Sequence, residues 1–330
     1  MDPTDTESKD LELDVLKDIP GRRIDAFLAQ RFTEYSRALI QKQIDAGEVL
    51  VNGRAVKRRY EVKRGDHITL RLPAVEEDTI EPEDIPLDIV YEDDHIILVN
   101  KPVDMVVHPA RGNASGTFVN ALAYHCRQLS DVRGVLKPGI VHRLDRNTTG
   151  IILAAKTNEA HRKLARQFEE RRTEKEYWAV VEREMDLDSG LIKKPIGRHP
   201  TVREKMAIRR DGRESETAYE VMERFRGYTL VRALPKTGRT HQIRVHLRSI
   251  NHPIVADSDY SRSGDCYLSD LRLQEREEDE QPIIQRQALH AKRIGFTHPV
   301  EEKWIEFESP LPRDMLDLIE ALRTYRAVGA

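Results

Sequence analysis

The sequence predicts an α+β protein, a mixed and largely antiparallel sheet with few helices, preceded by a small α/β module. Three observations carry this. The 330 residues exceed the usual single domain. Strand-like apolar runs outnumber helical patterns and lack the regular strand–helix alternation of a parallel sheet. A stretch with Pro73, Pro82 and Pro86 set among acids separates a short N-terminal unit from the rest.

In chain order, residues 1–19 combine low hydrophobicity with high charge and read as a disordered acidic tail. The module, 20–73, opens with 23–32, where Ile24, Phe27, Leu28 and Phe32 share one helical face. Ser36 is placed as N-cap of a second helix through Ala38, Leu39, Ile40, Gln43 and Ile44, with Gly47 as its stop. Residues 49–56 contain Asn52-Gly53, a strong hairpin signal, and 66–72 close the module as a strand. Residues 74–89 read as a linker and 90–330 as the larger domain. There, 96–99 is a buried strand, followed by strand-like runs at 150–155, 176–181, 218–223, 228–233 and 242–247. Residues 158–171 carry Ala160, Leu164 and Phe168 on one helical face, with Asn158 as cap. The polar stretch 258–281 reads as a surface insertion, and 314–325 as a closing helix with Leu316, Ile319 and Leu322 inward.

Composition narrows the class of function. Hydrophobic residues make up 39% and charged residues 34%, enough for a core beneath a highly charged surface. Cys126 and Cys266 form no C-x-x-C pattern, which argues against a disulfide framework or a cysteine zinc site and fits a reducing compartment. The acidic start MDPTDTESKD has no apolar stretch, and no apolar run is long enough for a spanning helix, so a cytoplasmic location is expected. The net charge of −3 hides strong segregation. Residues 21–72 carry twelve bases against six acids, between acidic segments at 1–20 and 76–94, the latter with ten acids and no base. A basic island of this kind is what a phosphate backbone would meet.

Three constellations bear on chemistry. His142-Arg143-Leu144-Asp145-Arg146-Asn147 lies between apolar Ile140-Val141 and a buried strand, where polar groups must find partners. On composition alone the structural reading, an Asp145 that neutralises Arg143 or Arg146, stands ahead of an active site. Lys236-Thr-Gly-Arg-Thr-His-Gln-Ile-Arg-Val-His246 runs from a polar turn into a predicted strand, where Gln242, Arg244 and His246 would share a face. His241 and His246 would then face opposite ways without a companion cysteine or carboxylate, so no metal is expected. Tyr177, in Lys175-Glu-Tyr, reads by itself as packing.

Taken together and in order, the motifs resemble those of the RluA/RluD-type pseudouridine synthases. The resemblance spans about residues 90–310. It rests on His142-Arg143-Leu144-Asp145 with Thr149-Gly150, Lys175-Glu-Tyr177, Gly238-Arg-Thr-His-Gln-Ile-Arg-Val-His246 and Asn251-His-Pro-Ile254. Outlying matches are Asn100-Lys-Pro102, Val107-His-Pro109, Lys205-Met-Ala207 and Arg286-Gln-Ala-Leu-His-Ala291. Residues 21–72 resemble a small RNA-binding module of ribosomal-protein type. Asp104 and Ala256 stand where glycine is usual.

The resemblance implies the pseudouridine synthase fold and a uridine-isomerising enzyme that acts without a cofactor on structured RNA, most readily large-subunit ribosomal RNA, with transfer RNA as the alternative. Asp145 would be the catalytic carboxylate, Arg244 its ionic partner, and Tyr177 a stacking residue and proton acceptor. Arg143, His142, Lys236 and Arg239 would meet RNA in the catalytic domain. In the module, Arg22, Arg23, Arg37, Lys42, Arg54, Lys57 and Arg58 are the candidate RNA contacts. The protein is expected to be a monomer.

Overall fold

In a computed structural model, the structure describes residues 8–32, 35, 37–73, 80–109, 113–126, 129–132, 138–202 and 204–328. The chain divides into two compact units, Met1–Asp78 and Thr79–Ala330.

The first unit contains β1 (Ser8–Asp14), α1 (Ile24–Arg31), α2 (Arg37–Ala46), β2 (Val49–Val51), β3 (Arg54–Ala55) and β4 (His67–Pro73), in a sheet of order β1-β4-β2-β3. Ile24, Leu28, Ile40 and Ile44 of the two helices pack on Val49, Ile68, Leu70 and Leu72 of the sheet. Asn52 and Gly53 both have positive φ, 51° and 76°, as the tight hairpin turn requires. The expected disordered tail is corrected: 8–14 form β1, in antiparallel register with β4. Asp10 lies opposite Arg71 and Asp14 opposite His67, both as ion pairs, while Leu11 and Leu13 face Leu70 and Ile68. Alternation of acid and leucine makes a strand whose acids have cross-strand partners. The expected cap Ser36 lies outside the described residues.

In the second unit come β5 (Ile89–Glu92), β6 (Ile96–Lys101), α3 (Phe118–His125), β7 (Thr149–Ala155), α4 (Asn158–Glu169), β8 (Glu174–Glu182), β9 (Ser189–Lys193), β10 (Ile196–Arg198) and β11 (Met206–Ile208). They are followed by β12 (Glu216–Phe225), β13 (Tyr228–Pro235), α5 (Gln242–Ser249), α6 (Leu268–Arg272), β14 (Leu289–Thr297), β15 (Trp304–Glu308) and α7 (Arg313–Tyr325). The main sheet has order β5-β6-β7-β14-β8-β13-β12-β9, with β15 also on β14, and only the β7–β14 pairing is parallel. β10 and β11 form a separate hairpin.

Four readings change. Residues 80–88, expected to be linker, are folded onto this unit: Ile80, Ile85 and Leu87 pack on its core, and the Asn120 amide donates to the Glu81 carbonyl. The cap of α4 is Thr157, whose hydroxyl accepts from the Ala160 amide; Asn158 instead bonds Ser130 and Asp131. In α7, Met315, Leu318, Ile319 and Leu322 are buried and Leu316 faces outward. Residues 242–247 are helix α5, not a strand.

One row of paired residues crosses the sheet and organises the site. Lys101 pairs with Gly150, Gly150 with Ala291, Ala291 with Tyr177, and Tyr177 with Ala233. Paired residues project to one face, so Lys101 and Tyr177 share it and the small residues between them leave room. Gly150 is obligatory here. Its φ is +110°, and an added Cβ would lie 2.3 Å from the Ala291 carbonyl oxygen.

Candidate active site

The loop 141–148 enters β7 with its backbone held from three sides. The Asp145 carbonyl accepts from the Thr148 amide at 3.1 Å, closing a turn. Lys101, fully buried, donates to the carbonyls of Pro102, Met105 and Arg146 at 2.7, 3.0 and 2.9 Å. Arg286 donates to the Asn147 carbonyl at 3.2 Å while its other nitrogens grip Asp314, and the Gln287 amide reaches the Thr148 hydroxyl. The Asn-Lys-Pro and Arg-Gln-Ala motifs, noted in the sequence without a role, therefore hold the Asp145 loop.

Arg244 comes from the opposite side. After β13 the turn through Thr237 is closed by buried Gln242. The Gln242 side-chain oxygen accepts from the Thr237 hydroxyl and the Arg239 amide, and its NH2 donates to Glu216 and Thr217. His241 then takes a left-handed φ of 54° and α5 begins. On α5, Arg244 donates through Nη1 to Asp145 at 3.3 Å. Its Nε and Nη2 meet the two Asp257 oxygens, each at 2.7 Å, and Nη2 also reaches Asp259 at 2.7 Å. The guanidinium lies 5.0 Å from the Tyr260 ring centroid. Tyr260 in turn contacts His241 Nδ1 and accepts from the Met206 amide, both at 2.8 Å. The beginning of the supposed surface insertion, Asp259 and Tyr260, is thus part of the site.

Asp145, Tyr177 and Arg244 line one cleft of about 730 Å³, in the range of ligand sites. Burial, and then the charge of Asp145, push the Tyr177 phenol well above the ordinary tyrosine range. Burial, and then Lys236, pull Lys175 down to about 8. Arg143 and Lys236 are exposed at the cleft and Arg239 is half-buried in it. His142 is committed to packing: its ring stacks on Phe168 at 4.9 Å, Nε2 accepts from the Leu153 amide, and burial pulls it down to about 3, so it is neutral. His246 bonds Thr217 and the Lys194 carbonyl, away from the reacting groups.

In the first unit, Arg23 and Arg37 both pair with fully buried Asp25, which also accepts from Gln41. Arg58 pairs with Asp45, and Arg22 donates to Gln30. Lys42, Arg54 and Lys57 are exposed; Arg23, Lys57 and Arg58 line a groove floored by Ile44 and Val56.

The departures from glycine fall on left-handed backbone: Asp104 has φ 65° and Ala256 φ 56°. Asp104 pairs there with Arg146 at 2.6 Å. The residues missed in the sequence are Lys101, Arg286, Asp257, Asp259 and Tyr260 as supports of Asp145 and Arg244. The signal for the first two was their place in the ordered motifs that carry the resemblance; Asp259 and Tyr260 carried none.

Comparison with known proteins agrees with this geometry. The RNA pseudouridylate synthase family model matches residues 95–249, and the S4 domain model matches 22–68. An uncharacterized RNA pseudouridine synthase, YlyB, of Bacillus subtilis (strain 168) is 43% identical over 303 residues, covering 92% of this chain and 95% of that protein. Ribosomal large subunit pseudouridine synthase D of Escherichia coli (strain K12) is 41% identical over 311 residues, covering 92% and 91%. Among solved structures, human RNA pseudouridylate synthase domain containing 1 aligns with a TM-score of 0.52 at 25% identity, over 75% of this chain and 98% of that one.

Proposed function

Because the chain belongs to the RNA pseudouridylate synthase family and carries an S4 domain, we propose that it converts specific uridines of large-subunit ribosomal RNA to pseudouridine, with Asp145 as nucleophile. The carrying observation is the Arg244–Asp145 pair, at 3.3 Å, in a cleft also lined by Tyr177. The ribosomal target is inferred from relatives such as the E. coli enzyme.

In the isomerisation the bond from sugar C1′ to uracil N1 breaks, the base turns, and C1′ joins C5. The C5 proton leaves and N1 gains one, so electrons balance without a redox partner or cofactor. The target base first leaves its stack, at roughly a few kcal/mol. The Asp145 carboxylate, paired with Arg244, attacks the substrate or stabilises the sugar cation left by the departing base. Tyr177 stacks on the uracil. As a protonated phenol it is a weak base, so stacking is the role its surroundings support. Arg143 fills the gap left by the base or clamps a phosphate, as Lys236 and Arg239 do. In the S4 unit, Lys42, Arg54, Lys57 and Arg58 supply a salt-dependent grip. Two unpaired, buried cysteines fit a cytoplasmic enzyme, which we take to act as a monomer.

The test is incubation with unmodified ribosomal RNA, followed by pseudouridine mapping, for wild type and Asp145→Asn. Product from wild type alone is expected. Equal product from both removes Asp145 from the mechanism, and product from neither favours a noncatalytic RNA-binding role.

A further inference from the structure

Three loops bring arginines to the wall of the cleft. Arg171 follows α4, Arg213 lies between β11 and β12, and Arg239 precedes α5. Their backbones are fixed. Arg171 takes a left-handed φ of 58° as the helix ends, a conformation that costs a non-glycine residue about 1 kcal/mol. Arg213 exchanges both backbone hydrogen bonds with Ile196, at 2.8 and 2.9 Å, and the Arg239 amide donates to Gln242 at 3.0 Å.

Their charges are not neutralised, although the Arg239 Nε donates to the Glu214 backbone carbonyl at 3.3 Å. Among the described residues none of the three has a carboxylate partner, although arginines near two of them in sequence do: Arg172 pairs with Glu170 and Arg209 with Asp211. Burial, and then the charges of Arg213 and Arg171, lower the pKa of Arg239, so both guanidiniums act on Arg239 as unfavourable like charges in the same cleft. Asp145 and Glu169 are the carboxylates lining the cleft, and Asp145 is engaged with Arg244. Like charges gathered on fixed backbone are unfavourable unless an anion joins them. Guanidinium forks match phosphate oxygens, two bonds at a time.

We infer that Arg171, Arg213 and Arg239 together form a phosphodiester-binding site for the RNA strand beside the extruded uridine, separate from the reacting centre. Arg239 was an expected phosphate contact; Arg171, Arg213 and the site as a unit are new. The inference deepens the function proposed above and rests on it for the identity of the RNA.

The test measures binding of an unmodified large-subunit ribosomal RNA transcript as a function of salt, for wild type, Arg171→Gln, Arg213→Gln and the double variant. Each substitution is expected to reduce the slope of log K against log salt by about 1, while the single-turnover rate at saturating RNA stays within about twofold of wild type. Arg213→Lys should keep most of the slope. Arg313→Gln, at an exposed pair with Asp317, is the control for long-range charge and should leave the slope unchanged. A scan of single methylphosphonate linkages through the RNA should find a position whose neutralisation weakens wild type and not the double variant. Unchanged slopes, or equal losses in the control, overturn the site. If wild type shows the slope and forms no pseudouridine, the functional reading falls and the site stands. If both variants bind and react like wild type, the site falls and the function stands.

Discussion

Asp257→Asn asks what positions Arg244. Arg244 is 4% exposed, and two of its guanidinium nitrogens meet Asp257 at 2.7 Å, against the single 3.3 Å contact to Asp145. A bidentate pair of that length fixes the plane of the guanidinium, which the longer contact does not. Asparagine keeps the volume of Asp257, yet it removes a charge and turns an NH2 toward an arginine donor. Breaking a buried pair from one side costs about 3–5 kcal/mol when the remaining charge is left alone. Arg244 keeps Asp145 and Asp259, so about 2 kcal/mol is expected, or roughly 4–8 °C in Tm for a unit of this size. A catalytic group displaced by about an ångström loses on the order of 10²-fold in rate. The assay pairs thermal unfolding with single-turnover conversion of ribosomal RNA. RNA affinity should hold, because Asp257 is fully buried and meets no solvent. A variant with wild-type rate and Tm refutes the reasoning. A lower Tm with an intact rate would make Asp257 a support of the fold alone.

The remaining predictions concern backbone, loop and pH. Gly150→Ala puts a methyl 2.3 Å from the Ala291 oxygen and 2.7 Å from its nitrogen, both backbone atoms, so the second unit should lose several kcal/mol or fail to fold; a circular-dichroism melt within a degree or two of wild type would contradict this. Lys101→Met orphans three carbonyls and should cost about 3 kcal/mol and slow the reaction with RNA affinity unchanged. Burial pulls Lys101 from its ordinary 10.5 to about 7, with Asp145 opposing. Its folded pKa is the lower one, so the unfolded chain binds the extra proton between the two values. The stability of wild type relative to the variant should then rise as pH climbs from about 7 to about 10.5, and a flat difference over that window speaks against it. In the S4 unit, burial raises the Asp25 carboxyl but hydrogen bonds from Gln41, Arg37 and Arg23 outweigh it and hold the group at about 2. Wild type should therefore exceed Asp25→Asn in stability at neutral pH, with the advantage fading as pH falls from about 4 to about 2; urea titrations across that window decide.

Why some elements were legible and others not has physical causes. The helix α4 showed its period because one face is buried and the other solvated. The helix α5 did not. Gln242 through Leu247 are all buried, so nothing marks a period of 3.6, and the alternation of Gln, Arg and His with Ile, Val and Leu imitates a strand. Arg244 was nonetheless placed correctly beside Asp145, because the expectation came from motif order and not from the secondary structure assigned to it. The strand at 8–14 is hidden for the opposite reason: its acids look like solvated charge until β4 supplies Arg71 and His67 as partners. No local pattern predicts a long-range pairing of that kind. The row Lys101–Gly150–Ala291–Tyr177 belongs to the same class. Each residue sat in a motif noticed separately, yet their adjacency is a property of the sheet. It explains why a glycine and an alanine stand between the functional side chains: the site needs their lack of bulk.

The same logic resolves the charge. A protein of net charge −3 is not an obvious partner for RNA, and the sum misleads because it counts bases whatever they touch. Arg71 faces Asp10, Arg172 faces Glu170, Arg209 faces Asp211 and Arg286 faces Asp314, so these cations are spoken for within the fold. Arg143, Arg171, Arg213 and Lys236 have no such partner among the described residues, and all four line the cleft that holds Asp145. A cleft with low-dielectric walls focuses the field of unneutralised charges, whereas paired surface charges cancel within a Debye length of roughly 8 Å at physiological salt. Acidic residues elsewhere lower the net charge and discourage indiscriminate binding without weakening the field in the cleft. Affinity for RNA should therefore follow the number of unpaired cations at the cleft together with the bases of the S4 unit, and substitutions at exposed pairs outside both, such as Arg313–Asp317, should leave it nearly unchanged.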